Sequence, residues 1–481
     1  MSTCLAKHEA CREALSGAVI DETTPPVLPT RVIYIGRPDQ ALSPRLLQTQ
    51  GKRGHYVALS HCWGPPSHRP LMTTHSKLDE HLAGIPWNAL PRTYQDAISA
   101  TRRLGFEYIW IDSLCIIQDS RADWLGESKR MGDVYQHARL TIAASHAADS
   151  SQPCFFTRPP LLPAVELTHI SASGDAEGSI FASLMPADYT AISPDLAPLA
   201  YRAWATQEWL LSRRMIFYTA GSLVWSCKAI SQRETGASFH TAARNVRWKN
   251  IVEKYSSRLL TMQSDRLIAL EGVKATLAEK YPRDTYCVGL WKNSMPDQLL
   301  WYCRQPAERS QSAVNLPTWT WASTLHGVRF LDIKGAKNTC DGFRFDEATG
   351  SLTIRGLLRK VARLSPLTEQ DVPWWIVDDT PHTITPPAMS YTLHADDGSL
   401  IGWSALDEGT LDDGQVYCFP LMSKRTKCRI GEETEWVFTD LVLLLQREHL
   451  DADEYKRIGV GMVRTSVPWF RDVVPAPVRL C

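Results

Sequence analysis

The sequence predicts an α/β protein: a parallel sheet flanked by helices, followed by a helical segment and a β-rich C-terminal unit. Tyr108-Ile109-Trp110-Ile111 is a continuous apolar run, as a strand buried on both faces of a parallel sheet requires, and it runs straight into Asp112. Behind it Trp124, Met131, Val134, Tyr135 and Ala138 recur at helical spacing, and a second strand, Leu140 to Ala144, follows. From Trp319 to Cys481, strand-like runs (Leu352 to Ile354, Trp374 to Val377, Leu441 to Leu445) alternate with Asp/Gly turns.

The elements follow in order. The first residues, Pro-rich around Thr23 to Pro29, read as a lead-in, and Arg31 to Ile35 as an edge strand. His55 to Ser60 reads as a short buried strand, ended by His61-Cys62-Trp63-Gly64-Pro65-Pro66, where glycine and the proline pair force a loop. In Pro91 to Gly105, Thr93 is the predicted N-cap, Ala97, Ile98, Thr101 and Leu104 are the apolar positions, and Gly105 stops the helix. The next helix starts from Ser120 as N-cap with Asp123 at the capping-box position. Strand, helix, strand, helix, strand in succession build right-handed βαβ units. Ser150 to about Leu199, rich in Pro, Ser and Ala, predicts long loops, with pieces such as Ile180 to Leu184 hard to place. Arg202 to Leu211 resumes helical spacing, Met215 to Tyr218 and Leu223 to Cys227 read as strands, and helices dominate from Trp248 to about Cys303.

Composition bounds the function. The chain has 481 residues, 44% of them hydrophobic, and 52 basic residues balance 52 acidic ones, so the positive footprint of a nucleic-acid binder is missing. No stretch approaches the roughly 20 apolar residues of a membrane span, and the amino terminus has no apolar h-region, which predicts a cytoplasmic protein without a membrane partner. Twelve cysteines scattered without a CxxC pair predict reduced thiols and no metal site. His61, Cys62, His68, His75 and His81 crowd one segment, but their intervals match no common ligand pattern.

Loops leaving the carboxyl ends of parallel strands form ligand crevices, so His61-Cys62-Trp63-Gly64 and Asp112-Ser113-Leu114-Cys115 are expected to converge. Cys62 beside His61 suggests a nucleophile and its base, although neighbours on a strand point to opposite faces and pair only if the loop turns. Cys115 reads as a small core filler. Asp112 either holds a histidine or caps the following turn. Glu127 falls on the inward stripe of its helix. On the structural reading it pairs there with an arginine or a backbone donor. Arg202 and Glu208 read as a buried ion pair tying the last helix to the sheet. Glycine-rich phosphate cradles are absent.

Taken together, Tyr56-Val57-Ala58-Leu59-Ser60-His61-Cys62-Trp63-Gly64, then Leu90-Pro91-Arg92-Thr93 with Asp96-Ala97-Ile98, then Trp110 to Asp119 resemble the fungal heterokaryon incompatibility (HET) domain. The resemblance continues through Asp123-Trp124 with Glu127, Met131, Tyr135 and Ala138, then Leu140 to Ala144, and closes on Arg202-Ala203-Trp204 with Gln207-Glu208. It divides the chain into a lead-in (1–27), a HET domain (28–211, core 55–150), a mainly helical segment (212–310) and the β-rich unit (311–481).

The resemblance implies a role in fungal non-self recognition and regulated cell death, on a distantly TIR-like core. Some TIR domains cleave NAD with a helix-borne glutamate close to a tryptophan, and Glu127, three residues after Trp124, resembles that arrangement. NAD is then a candidate substrate, with no cofactor required. Glu127, Asp112, Cys62 and His61 are the catalytic candidates, and Ser60, Trp63, Gly64, Cys115, Trp124, Trp204 and Glu208 the binding candidates. A second reading is a biosynthetic enzyme on the same scaffold, using Cys62, a histidine and the carboxylates on a small organic substrate. A third is a non-enzymatic adaptor that self-associates or binds a protein, its carboxylates all satisfied by internal partners.

Overall fold

The computed structural model describes residues 1–37, 43–157, 165–182, 192–236, 247–304, 316–332, 334–367, 391–407, 415–430, 433–447 and 453–481. Internal contacts divide the chain into two compact units, Met1–Arg244 with Ile268–Lys280, and Asn245–Leu267 with Tyr281–Cys481. The predicted strand Trp374 to Val377 lies outside the described residues.

The first unit is built on strands β1 (Arg31–Tyr34), β2 (Arg45–Gln48), β3 (Val57–Ser60), β4 (Tyr108–Trp110), β5 (Leu140–Ala143), β6 (Val165–Ile170), β7 (Ala176–Ala182), β8 (Arg214–Tyr218), β9 (Leu223–Cys227) and β10 (Ser231–Arg233). Eight of these form one sheet in the order β10-β9-β8-β5-β3-β4-β1-β2. The centre is parallel, as the apolar runs predict, because β3 pairs parallel with β4 and β5, and β5 with β8. Both margins are antiparallel, around the parallel centre. At the β8 to β10 margin the reason is connection length: these strands follow one another through short turns, and a short turn can only return a strand antiparallel.

Helices α1 (Ser2–Lys7), α2 (Leu78–Ala83), α3 (Arg92–Arg103), α4 (Asp112–Cys115), α5 (Arg121–His137) and α6 (Ala205–Leu211) complete this unit together with Glu271–Lys280. Helix α5 starts as predicted, with Ser120 accepting the Asp123 N–H at 3.3 Å. The capping box is not closed, because the Asp123 carboxylate accepts instead from the Ile117 N–H at 2.8 Å and from Arg31 at 2.5 Å. Thr93 is not the N-cap of α3. Pro91 holds that position, Thr93 Oγ1 donates to the Gln152 carbonyl at 2.6 Å, and Asp96 accepts the Cys154 N–H at 2.9 Å, so the two side chains tether the 150–155 loop. Gly105 stops α3 in the left-handed conformation, φ 83°.

Two tyrosines bolt α5 to the sheet: Tyr56 donates to the Val134 carbonyl at 2.7 Å and Tyr135 to the Leu59 carbonyl at 3.1 Å. On its other side α5 meets Glu271–Lys280 with no side chain between. A Cβ on Gly132 would lie 2.8 Å from Gly272 Cα. Where the sequence predicts loops after Ser150, β6 and β7 form a separate antiparallel hairpin. Every residue of β6 is exposed, so this hairpin adds no buried face to the unit.

The second unit carries the helix Trp248–Ser256 and an 11-stranded sheet dominated by Val416–Ile430, Glu433–Arg447 and Glu454–Thr465. The predicted runs Leu352 to Ile354 and Leu441 to Leu445 lie inside two of its strands. Among the described residues no helix is long and apolar enough to cross a membrane.

Candidate functional site

Because β3, β4 and β5 run parallel, their carboxyl ends share one edge, and the loops that leave them meet there. The Trp63 indole N–H donates to Asp112 Oδ2 at 2.8 Å, and the Ser113 N–H caps Asp112 Oδ1 at 2.7 Å. His61 Nε2 lies 2.9 Å from the Tyr94 hydroxyl and 3.8 Å from Asp112 Oδ1, with the two rings edge to face. Tyr94 in turn shares a 2.6 Å hydrogen bond with Ser113 Oγ. From α6, Glu208 accepts the Ser60 hydroxyl, and Arg202 donates to the His61 carbonyl.

Burial sets the protonation of this edge. It pushes the His61 imidazole down to about 4, against the pull of Asp112, so the ring is neutral, and its buried Nδ1 has no hydrogen-bond partner among the described residues. It pushes the Glu208 carboxyl up to about 7, although Arg202, Ser60 and Tyr135 all favour the anion. Burial also works against the Arg202 charge, but the neighbouring carboxyl groups, Glu208 first and then Asp112, favour it and raise the guanidinium above its ordinary value.

His61 and Cys62, just beyond the end of β3, do not pair with each other, because His61 meets Tyr94 while Cys62 packs elsewhere. Cys62 packs into an apolar cluster with Trp209, Met215 and Phe217, and burial pushes its thiol up to about 11. Cys115 is also a core thiol, pushed up to about 12 by burial, with Glu127 and Asp112 both adding to the rise. Gly64 has φ 86°, and a Cβ there would lie 2.4 Å from Asp149 Cβ, so the loop turn needs glycine. Trp124 and Trp204 meet edge to face at 6.3 Å.

Glu127 stands apart. It is 4% exposed, pairs with Arg130 at 3.4 Å, and lines a cleft of about 430 Å³ with Tyr56, Thr30, Gln50 and His137. Neither Asp112 nor Cys62 lines that cleft. The structure thus brings Ser60, His61, Trp63, Asp112 and Glu208 together and leaves Glu127 in a second place.

Tyr94, Ser113 and Tyr135 belong to the edge network and were missed as functional residues. The available signal was a tyrosine on the inward face of a helix, whose hydroxyl has to find a partner when buried. A family model described as heterokaryon incompatibility protein (HET) matches residues 56–208. Residues 56–208 form a HET domain. No curated protein and no solved structure matches the chain. The HET domain runs from just before β3 into α6, so it contains the carboxyl-edge network and Glu127, whereas β1, β2 and β8 to β10 lie outside the matched residues. It implies a role in fungal heterokaryon incompatibility.

Proposed function

We propose that this chain is a cytosolic effector of fungal heterokaryon incompatibility whose HET domain acts through a protein contact, with a second copy or another protein, and not through chemistry at its carboxyl edge. The observation that carries this reading is the internal satisfaction of the edge carboxylates. Asp112 is met by Trp63 and Ser113, and Glu208 by Ser60. A substrate would have to break those bonds before gaining its own, and a buried polar group left unpaired costs about 1–3 kcal/mol. The biosynthetic alternative needs an ionised Cys62, and a thiol held at about 11 in an apolar cluster is un-ionised at neutral pH. Overexpression in a fungal host tests the reading. Cys62→Ala is expected to retain the growth arrest of the parent chain, and differently tagged copies or a protein partner to co-purify. Loss of arrest by a folded Cys62→Ala chain refutes it.

A specific observation favours one further reading, NAD cleavage at Glu127. The cleft volume of about 430 Å³ falls within the range of small-molecule sites, about 300–1,000 Å³, and a buried carboxylate lines it beside a cation. Glu127 would stabilise the oxocarbenium-like ribose as nicotinamide leaves, and water would complete the hydrolysis. Incubating the purified chain with NAD decides this. Nicotinamide release that disappears in Glu127→Gln supports it, and NAD left intact at high protein concentration rejects it.

A further inference from the structure

The amino-terminal segment and the end of β9 bring four metal-ligating side chains to one point. Cys4 lies in α1, His8 directly follows it, Cys11 lies in the short turn Glu9–Arg12, and Cys227 is the last residue of β9. Their sulfur and ring-nitrogen atoms all lie within 4.8 Å of one another, and His8 Nδ1 is 3.3 Å from Cys227 Sγ. An ion about 2.3 Å from each sulfur and about 2.0 Å from the nitrogen spaces its tetrahedral ligands roughly 3.5–3.8 Å apart, so small side-chain shifts close this set on one ion. The three cysteines are buried, and Trp225 packs against them.

We propose that Cys4, His8, Cys11 and Cys227 hold a structural zinc ion. Three thiolates and one imidazole, with no fifth donor grouped with them among the described residues, suit a closed tetrahedral zinc site, and soft sulfur ligands disfavour magnesium and calcium. On binding, three S–H protons pass to solvent, three S–Zn bonds and one N–Zn bond form, and no electrons are transferred.

The charges around the cluster argue for the same ion independently. Arg139, Arg213 and Arg214 all converge on the single carboxylate of Glu22. Arg214 is buried. Its Nε donates to Cys4 Sγ at 3.3 Å and its Nη2 to the Cys11 carbonyl at 3.3 Å, while Nη1 has no hydrogen-bond partner among the described residues. Arg214 is the fully buried one of the three, and it shares the Glu22 carboxylate with two other guanidinium groups. Zinc with three thiolates carries one net negative charge, beside the guanidinium that already donates to one ligand sulfur and to the backbone of a second ligand residue. In sequence the set is easily passed over, because Cys4, His8 and Cys11 form no CxxC pair and the fourth donor comes from a distant strand.

Full-length chain purified without chelator is expected to carry one zinc per chain by elemental mass spectrometry. Cys11→Ser and Cys227→Ser are expected to fall below about a tenth of that, while Cys340→Ser, outside the cluster, keeps it. Should the cluster variants fail to fold, parent chain produced in cobalt-supplemented medium is expected to show thiolate-to-cobalt charge-transfer bands and the strong visible bands of tetrahedral cobalt. A parent chain with neither zinc nor those bands overturns the proposal. So does a Cys227→Ser chain that keeps its zinc, or a metal-free parent chain two hydrogens lighter in which Cys11 and Cys227 are joined as a disulfide.

Discussion

Trp63 Nε1 donates to Asp112 Oδ2 at 2.8 Å, joining the loop that leaves β3 to the turn that leaves β4. The bond makes Asp112 a clamp between two sheet loops. Trp63→Phe keeps most of the ring but leaves a partly buried carboxylate oxygen without its donor, and the expected loss is about 1–3 kcal/mol in denaturant unfolding of the HET domain. In Asp112→Asn the effect of Trp63→Phe should shrink, because the acceptor is no longer charged. Equal effects of Trp63→Phe in both backgrounds would show that the two side chains do not act together.

Glu208 and His61 give the carboxyl edge two opposed responses to pH. A carboxyl raised to about 7 from 4.5 takes up its proton more readily in the folded chain, so its stabilising contribution is complete below about 4.5 and lost as pH rises through about 7. The imidazole lowered to about 4 from 6.5 acts in the other direction, its contribution present above about 6.5 and lost as pH falls through about 4. Relative to the parent, Glu208→Gln should therefore gain stability as pH rises from 5 to 7, by an amount on the order of 3 kcal/mol at most. His61→Asn should lose stability over the same rise. Thermal unfolding at several pH values reads both, and parallel curves for parent and Glu208→Gln would contradict the raised carboxyl.

These predictions rest on residues that differed in how clearly the sequence announced them. Asp112 was legible because a charged residue directly after an apolar run has to sit at a strand end, and Ser120 because capping is local chemistry. The long-range partners were not. Thr93 looked like a cap, yet its hydroxyl is used by a loop about 60 residues away, and nothing local encodes that bond. Tyr135 reads as core because its ring is core, Tyr94 carries no mark of its own, and only the fold shows where the two hydroxyls go. The Glu127 cleft separated from the carboxyl edge for a related reason. Periodicity assigned Glu127 to the inward face of α5 without assigning how far along the helix that face passes from one end of the sheet to the other.

Cys62 gives a direct chemical check on the edge. A thiol held at about 11 by burial presents almost no thiolate at pH 7.5, and its position in the Trp209 and Phe217 cluster closes the approach. Iodoacetamide followed by peptide mapping should leave Cys62 unmodified in native chain and label it after unfolding in guanidinium chloride. Rapid labelling of Cys62 in native chain would place it at an open site and revive the thiol mechanism.

Two glycines of α5 should respond to alanine with opposite signs. Gly126 has nothing within 4 Å of the position its Cβ would take, so Gly126→Ala should stabilise the chain by about 0.5–1 kcal/mol through helix propensity alone. Gly132→Ala makes the same propensity gain but puts a methyl group 2.8 Å from Gly272 Cα and 3.2 Å from Leu211 Cδ1. The first of these is backbone, which cannot swing aside, so Glu271–Lys280 has to move. Overpacking of this kind costs about 1–3 kcal/mol, which outweighs the gain. Gly272→Ala meets the same contact from the other helix and also crowds Gln207 Oε1 at 2.7 Å, the acceptor of the Gly272 N–H. The double variant should therefore cost less than the sum of the two singles, because the first methyl group already separates the helices. If Gly126→Ala and Gly132→Ala shift the unfolding midpoint in the same direction, the close approach of α5 to Glu271–Lys280 is not maintained in solution.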